Sequence, residues 1–489
     1  MRDAHLRRAS TLTGMSDSNT NRRDPYSEKF KKFIVSGWAP YSDELPAELP
    51  SAPWAAKRRE AIVEQNPGAT LVFPAGPLKV RANDTDYRFR PHTAFAYYTG
   101  LGEDREPDAV LVVSESESVL FFRPRAPRTD REFYADARYG EMWVGQRDSL
   151  EEMSSATGLE CRDVRSLEEY LAGCDNLRVV READPAVTEL VDRVRGGVDE
   201  DADAELLRLA SSQRFTKDQY EIDEMGRAVA ATKVGFDAVI RELPNAVTNG
   251  RGERWVEGIF ALHARHLGNA VGYDTIAAGA DHANTLHWIV NDGDLADGDL
   301  LLLDAGVEVN SLYTADVTRT LPVGGTFTPE QRRVYDAVLR AQQAGIEACV
   351  AGRPWKEVHA ASIRVVAEFC QELGILPVSV DESVSEEGGQ HRRWMVHGTS
   401  HHLGLDVHDC AHASREDYRE GTLQPGMIIT VEPGIYFKST DLLVPEEYRG
   451  IGVRIEDDVL ITEDGPVVLS DVFPRTADDV EAWIARLQG

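Results

Sequence analysis

Residues 397–408 read His-Gly-Thr-Ser-His-His-Leu-Gly-Leu-Asp-Val-His, and the fold expected for the second half of the chain turns on them. His397 and His401 stand four apart, the spacing at which a zinc-protease helix presents two imidazoles. That helix needs Glu after its first histidine. Here Gly398 follows His397 and Gly404 comes soon after, so the stretch is a poor helix and the zinc-helix reading fails. Three histidines in twelve positions, His397, His401 and His408, exceed what a packed core needs. His402 points away from His401 on an extended strand and is read as structural. His287, in Thr285-Leu-His-Trp288, has weaker support from spacing.

On either side of this stretch, carboxylates stand at the ends of apolar runs or inside them. Leu300-Leu-Leu-Leu303 runs into Asp304-Ala-Gly, and Met427-Ile-Ile-Thr-Val431 runs into Glu432-Pro-Gly. Residues 314–320 alternate so that Asp316, Thr318 and Thr320 share a face. In 452–461, read as one strand, Arg454, Glu456 and Asp458 take one face while Val453 and Ile455 take the other. A charge on a buried strand is costly unless it is paired or bound to a cation. One such residue is ordinarily a strand end facing water. Four of them beside a histidine predict a two-metal hydrolytic centre. An oxygen-rich site with one imidazole suits Mn²⁺ or Co²⁺, and four carboxylates can hold two ions about 3.5–4 Å apart around a water.

The chain of 489 residues is long for one domain, and 42% hydrophobic residues suffice for full cores. A formal charge of −30 argues against nucleic acid and against an anionic membrane surface. No run of 18 apolar residues is present, so no membrane span is expected. Residues 1–28 are polar, lack the apolar core of a signal peptide, and read as a mobile tail in which Met15 could be the true start. The five cysteines, Cys161, Cys174, Cys349, Cys370 and Cys410, are scattered, which favours a reducing cytoplasm over a disulfide framework or a structural zinc.

An α/β domain is expected over 29–205. It begins with a helix at 54–65 and strands at 69–74, 109–113 and 119–122, with an aromatic cluster at 95–100. Gly196–Glu205 is an acidic run read as a solvated loop, and the domain border is placed near 205–215. Beyond it, over 210–489, Thr216 and Gln219 predict a capping box for a helix that Pro244 stops after Leu243. Further helices are expected at 253–267, 328–351 and 355–373. Two helices then acidic strands occur twice, a rough echo without repeated sequence words.

These motifs, in this order over 215–470, resemble the pita-bread metallopeptidases, which include methionine aminopeptidase, prolidase and aminopeptidase P. The resemblance implies an α/β N-terminal domain followed by an α+β pita-bread (creatinase/aminopeptidase-like) catalytic domain. It implies five metal ligands, Asp304, Asp316, His401, Glu432 and Glu456, with Asp316 and Glu456 bridging two divalent ions, foremost Mn²⁺, with Co²⁺ or Zn²⁺ as alternatives. Glu432 then resembles the general base. His287, His397 and His408 match histidines that line the substrate site and help to shuttle protons, and Arg454 matches an arginine behind the ligands. Asp304 and Asp316 are twelve apart, one more than the family pattern leads one to expect, which places an extra residue in the turn 307–315.

Residues 69–113 are similar to the N-terminal domain of the aminopeptidase P branch, which assembles subunits. Trp143 matches an aromatic that reaches a neighbour's substrate site. The activity implied is release of the N-terminal residue from peptides with proline second, by a cytoplasmic homo-oligomer, dimer or tetramer. Prolidase is the near alternative. A non-catalytic pita-bread binding module and a metal-free creatinase-like hydrolase are disfavoured by the intact ligand set.

Overall fold

A computed structural model of the chain describes residues 26–83, 85–103 and 105–489; the tail expected over 1–28, with Met15, lies outside them apart from its last three positions. The chain divides into two units between Ala210 and Ser211.

In the first unit, short apolar runs pair into one mixed sheet. Thr70–Pro74 lies between Val110–Val113, antiparallel, and Leu177–Val179, parallel; Ser118–Phe122 and then Glu160–Asp163 extend the sheet beyond Val110–Val113. Val72, Val110, Val112, Val119 and Phe121 form one face of its core with Leu167, Leu190 and Val191 from the covering helices. The aromatic stretch at 95–100 is a helix, Thr93–Thr99, ended by Gly100 at φ 74°. Its end leaves carbonyls unbonded, and Arg58 and Arg59 donate to those of Tyr97 (3.2 Å) and Tyr98 (2.6 Å).

Only the first four residues of the acidic run at 196–205 form the expected solvated loop. From Glu200 it forms the helix Glu200–Ser212. Asp203, on the inner face of that helix, is buried and receives Arg181 (2.8 Å), both Arg195 amino groups (2.9 and 2.7 Å) and the amide of Val179 (2.9 Å). Charge runs expected on a surface can thus turn one member inward when arginines meet it.

The second unit consists of two similar halves. The helices Gln219–Asn249 and Gly252–Leu267 accompany the antiparallel sheet Ile276–Gly279, Leu300–Ala305, Val317–Pro322. The helices Pro329–Ala348 and Lys356–Glu372 accompany the antiparallel sheet Ile428–Val431, Asp457–Thr462, Gly465–Val468.

Two helix-end expectations are corrected. The capping box is Asp218 with Glu221, each side chain accepting the other's amide at 3.0 Å, while Thr216 is extended and bridges Met427. Pro244 does not stop the helix, which continues to Asn249. The carbonyl of Ile240, which Pro244 has no N–H to bond, accepts Gln488 Nε2 at 2.9 Å instead.

The run 452–461 is two strands. Gly452–Arg454 pairs with Gly434–Tyr436, and Asp457–Thr462 pairs with Ile428–Val431. Both ladders therefore break at the same level, at Glu432-Pro433 on one side and Ile455-Glu456 on the other. Pro433 has no amide to give a ladder. Glu456 N turns instead to Thr318 O (3.1 Å), which stitches the two halves together. Among the described residues no helix is long and apolar enough to cross a membrane.

Candidate metal centre

Each acidic side chain is aimed by the strand that carries it. Leu300–Leu303 are buried on both faces, so the same strand carries Asp304 inward, where it is nearly buried. Arg454 Nη2 donates to its Oδ2 at 2.5 Å, and the Tyr273 hydroxyl lies 2.7 Å from its Oδ1. The same hydroxyl bonds Asp316 Oδ1, so it ties the two aspartates together. Asp316 stands just before Val317–Pro322, its amide donating to both Asp458 oxygens at 3.3 Å. The turn between the aspartates holds the buried Leu312 at φ 74°, a left-handed conformation unusual for leucine.

Glu432 and Glu456 sit at the two opposed strand breaks. Thr318 Oγ1 donates to Glu456 Oε2 at 2.7 Å. His401 arrives on the extended stretch beside Ile428–Val431, its amide bonded to Thr430 Oγ1 (3.1 Å). Its Nδ1 donates to His402 O (3.0 Å), which leaves Nε2 facing Asp316 Oδ2 (3.4 Å) and Glu432 Oε1 (3.8 Å). Donor atoms of Asp316, His401 and Glu456 all lie within 4.8 Å of one another.

The electrostatics show what this grouping costs. Burial raises Asp316, with Asp304 adding to the rise against His401. Burial and then Asp316, Glu432 and Asp304 push Glu456 well above the usual carboxylate range. Glu432 is pushed up to about 7 by burial, against the lowering effect of His401 and Arg454. Burial lowers His401, but its bond to Asp316 and the charges of Glu432 and Asp316 outweigh that and hold it up at about 9. Four carboxylates crowded in low dielectric around one imidazole fit divalent cations, which would remove the repulsion that these shifts record.

His397 and His408 stand beside this cluster, and His287 is near enough for its charge to act on both. The rings of His401 and His408 stand edge to face at 4.5 Å. His397 Nδ1 donates to Gly398 O (2.7 Å), and its Nε2 accepts the Tyr436 hydroxyl (2.8 Å), which in turn accepts Arg454 Nη1 (3.0 Å). Burial holds His397 near 3 and His408 near 4, and the charge of His287 contributes to both depressions. His287 is exposed, and His408, though one side of its ring packs against His401, keeps part of its surface open to solvent. Trp143 belongs to the first unit. It is half-exposed on the short helix Glu141–Val144, its indole donating to Tyr134 O (2.8 Å).

Tyr273, Tyr436 and Asp458 also belong to this network, and none of them stands out by local pattern except Asp458, which shares the predicted face of Glu456. Burial raises Tyr273 and Asp458 far above their ordinary values. His402 is confirmed as packing. Its ring stacks on Trp355 at 4.5 Å and lies 4.4 Å from Phe215.

Residues 223–463 match the model of metallopeptidase family M24, and residues 55–178 match that of the aminopeptidase P N-terminal domain. The chain is 47% identical to Xaa-Pro aminopeptidase 2 of Streptomyces coelicolor over 97% of its length and all of the relative's. Two solved Escherichia coli structures, each 30% identical, superpose with a TM-score of 0.77 over 90% of this chain and all of theirs. One is aminopeptidase P with the inhibitor Pro-Leu, and the other is the zinc-substituted enzyme with product. The chain therefore belongs to metallopeptidase family M24, and ahead of its catalytic part it carries, over 55–178, an aminopeptidase P N-terminal domain.

Proposed function

We propose that the protein is a metal-dependent exopeptidase that releases the N-terminal residue from peptides with proline at the second position. The observation that carries this reading is the convergence of Asp304, Asp316, His401, Glu432 and Glu456 in one buried cluster beside three histidines. These five residues would hold two divalent ions, foremost Mn²⁺. Ions bound there would lower the pKa of a water and draw charge from the scissile carbonyl.

The chain's own groups do the rest. Glu432 lies at the open side of the cluster, 3.8 Å from His401 Nε2, and takes the proton of the attacking water. The exposed rings of His287 and His408 bind the Xaa-Pro amide region and pass that proton toward the prolyl nitrogen as it leaves. His397 has both ring nitrogens engaged and reaches substrate by exchanging its Tyr436 bond. Arg454, shared by Asp304, Thr318 and Tyr436, keeps the ligand and substrate sides in register. An amide before proline lacks N–H and restricts the residue ahead of it, so a dedicated site is needed.

Work in a reducing cytoplasm fits five cysteines that are all free. Assembly into a dimer or tetramer fits the aromatic and apolar surface of the first unit, where Phe33, Trp38, Met142, Trp143 and Val144 are exposed. The deciding experiment strips the metal, reloads Mn²⁺ and offers an Xaa-Pro dipeptide beside an Xaa-Pro-Yaa tripeptide. Metal-dependent cleavage of the tripeptide after its first residue is expected. Cleavage of the dipeptide alone would make the enzyme a prolidase, and cleavage of neither by metal-loaded protein would leave a binding module.

A further inference from the structure

Outside the metal cluster, the second unit holds a heavily committed buried carboxylate in Glu253, in the first turn of the helix Gly252–Leu267 and fully enclosed. All four of its partners belong to one segment. Oε1 accepts the amide of Gly279 (2.7 Å) and lies 2.7 Å from His282 Nδ1. Oε2 accepts Trp288 Nε1 (2.9 Å) and the amide of Gly293 (2.7 Å). The fit leaves no slack, since a Cβ at Gly293 would come within 2.8 Å of the carboxylate. One helical turn on, Glu257 accepts Asn291 Nδ2 (3.2 Å), and the Asn291 side chain also bonds Ala277 N and Thr275 O. The segment 279–293 has little regular structure of its own, and one face of this helix holds it.

That segment carries His287. Trp288, pinned by Glu253, stacks on His282 at 3.9 Å. Leu286 and Trp288 pack on the cluster that contains Tyr436, whose hydroxyl holds His397. His287 is thus gripped through both neighbours while its own ring stays open to solvent beside His397 and His408. We infer that Glu253 is a positioning residue: by collecting four donors of one irregular segment, it sets where the His287 imidazole stands relative to His397 and His408. The catalytic part of this inference rests on the peptidase reading above.

The test combines a double-mutant cycle with hydrogen exchange on metal-loaded protein. Glu253→Gln keeps size and removes charge, so its amide faces donors on one side. Cleavage of an Xaa-Pro-Yaa tripeptide is expected to fall about tenfold, the effect of one lost bond to a charged acceptor. In a His287→Ala background the same change should cost less than about twofold, because the two residues act as a unit. Bound metal should be unchanged, and deuterium uptake over 279–293 should rise. Trp288→Phe, which deletes one donor and keeps the ring, should reproduce the non-additivity at smaller scale should Glu253→Gln fail to fold. Equal losses in both backgrounds, loss of metal, or unchanged exchange would overturn the inference. If the parent protein cuts neither peptide, the peptidase reading has failed, and the exchange result alone decides whether Glu253 holds the segment.

Discussion

At Asp409 two cations meet one carboxylate inside the protein. Arg214 Nε donates to Oδ1 at 2.9 Å and Lys217 Nζ to Oδ2 at 3.1 Å, with all three side chains nearly or fully buried. Burial alone would raise the Asp409 carboxyl, but Lys217 and Arg214 overcome it and hold it at about 2, below its ordinary 3.8. A lowered carboxyl stabilises the fold fully above its unfolded pKa, so this contribution is complete above about pH 4 and is lost as pH falls toward 2. Asp409→Asn strands two buried cations and should cost about 3–5 kcal/mol in denaturant unfolding. It should also flatten the acid limb of stability against pH. Glu432→Gln should act on the metal centre instead, on its hold on the ions as well as on chemistry. It keeps the side chain's shape, removes the proton acceptor and should lower kcat by roughly 10²–10⁴-fold in a peptide-cleavage assay. The residues that differ most in these outcomes also differ in how they can be read from sequence. Asp304, Glu432 and Glu456 betray themselves because a charge at the end of or within an apolar run is a local anomaly. Tyr273 and Tyr436 do not, because a tyrosine is ordinary in either setting and its partners lie far away in the chain.

Elements were legible where a local pattern decides them and illegible where a distant partner does. The leucine run 300–303 is a strand because both its faces are covered, and the helix at 329 begins at a Thr-Pro-Glu-Gln cap whose box is present in the structure. The continuation of a helix through Pro244 depends on Gln488, and the inward turn of Asp203 depends on Arg181 and Arg195; neither is visible within a window of sequence. The split of 452–461 follows from its neighbour, since the proline at 433 ends the facing ladder at the same level. The extended stretch that presents His401 is anchored through His402, which sits among Phe215, Trp355 and Tyr418 with its Nδ1 buried and without a hydrogen-bond partner among the described residues. His402→Phe keeps the aromatic packing and removes that unpaired atom. It should raise stability by about 1 kcal/mol in denaturant unfolding and leave metal content and peptide cleavage intact.

On the scale of the whole molecule, charge and metal are coupled. The chain carries 83 acidic against 53 basic residues, and several acids are spent on the interior of one site. Removing the cations leaves carboxylates in enforced proximity, so metal-stripped protein should unfold at a lower temperature. Titrating Mn²⁺ back should raise the midpoint with the logarithm of its concentration, as for any ligand that binds only the folded state. Calorimetry at several metal concentrations checks this. The stitching of the two halves at Glu456 has a further consequence, which belongs to time rather than to energy. Its amide bonds Thr318 while its carboxylate stands among the side chains of Asp304, Asp316, His401 and Glu432, so no contiguous piece of chain can assemble the centre. Contacts this remote in sequence form late in folding. Metal uptake by refolding chains should therefore lag behind the return of helical signal and coincide with the slowest phase, which makes the ions a clock for completion of the fold rather than a seed for its start.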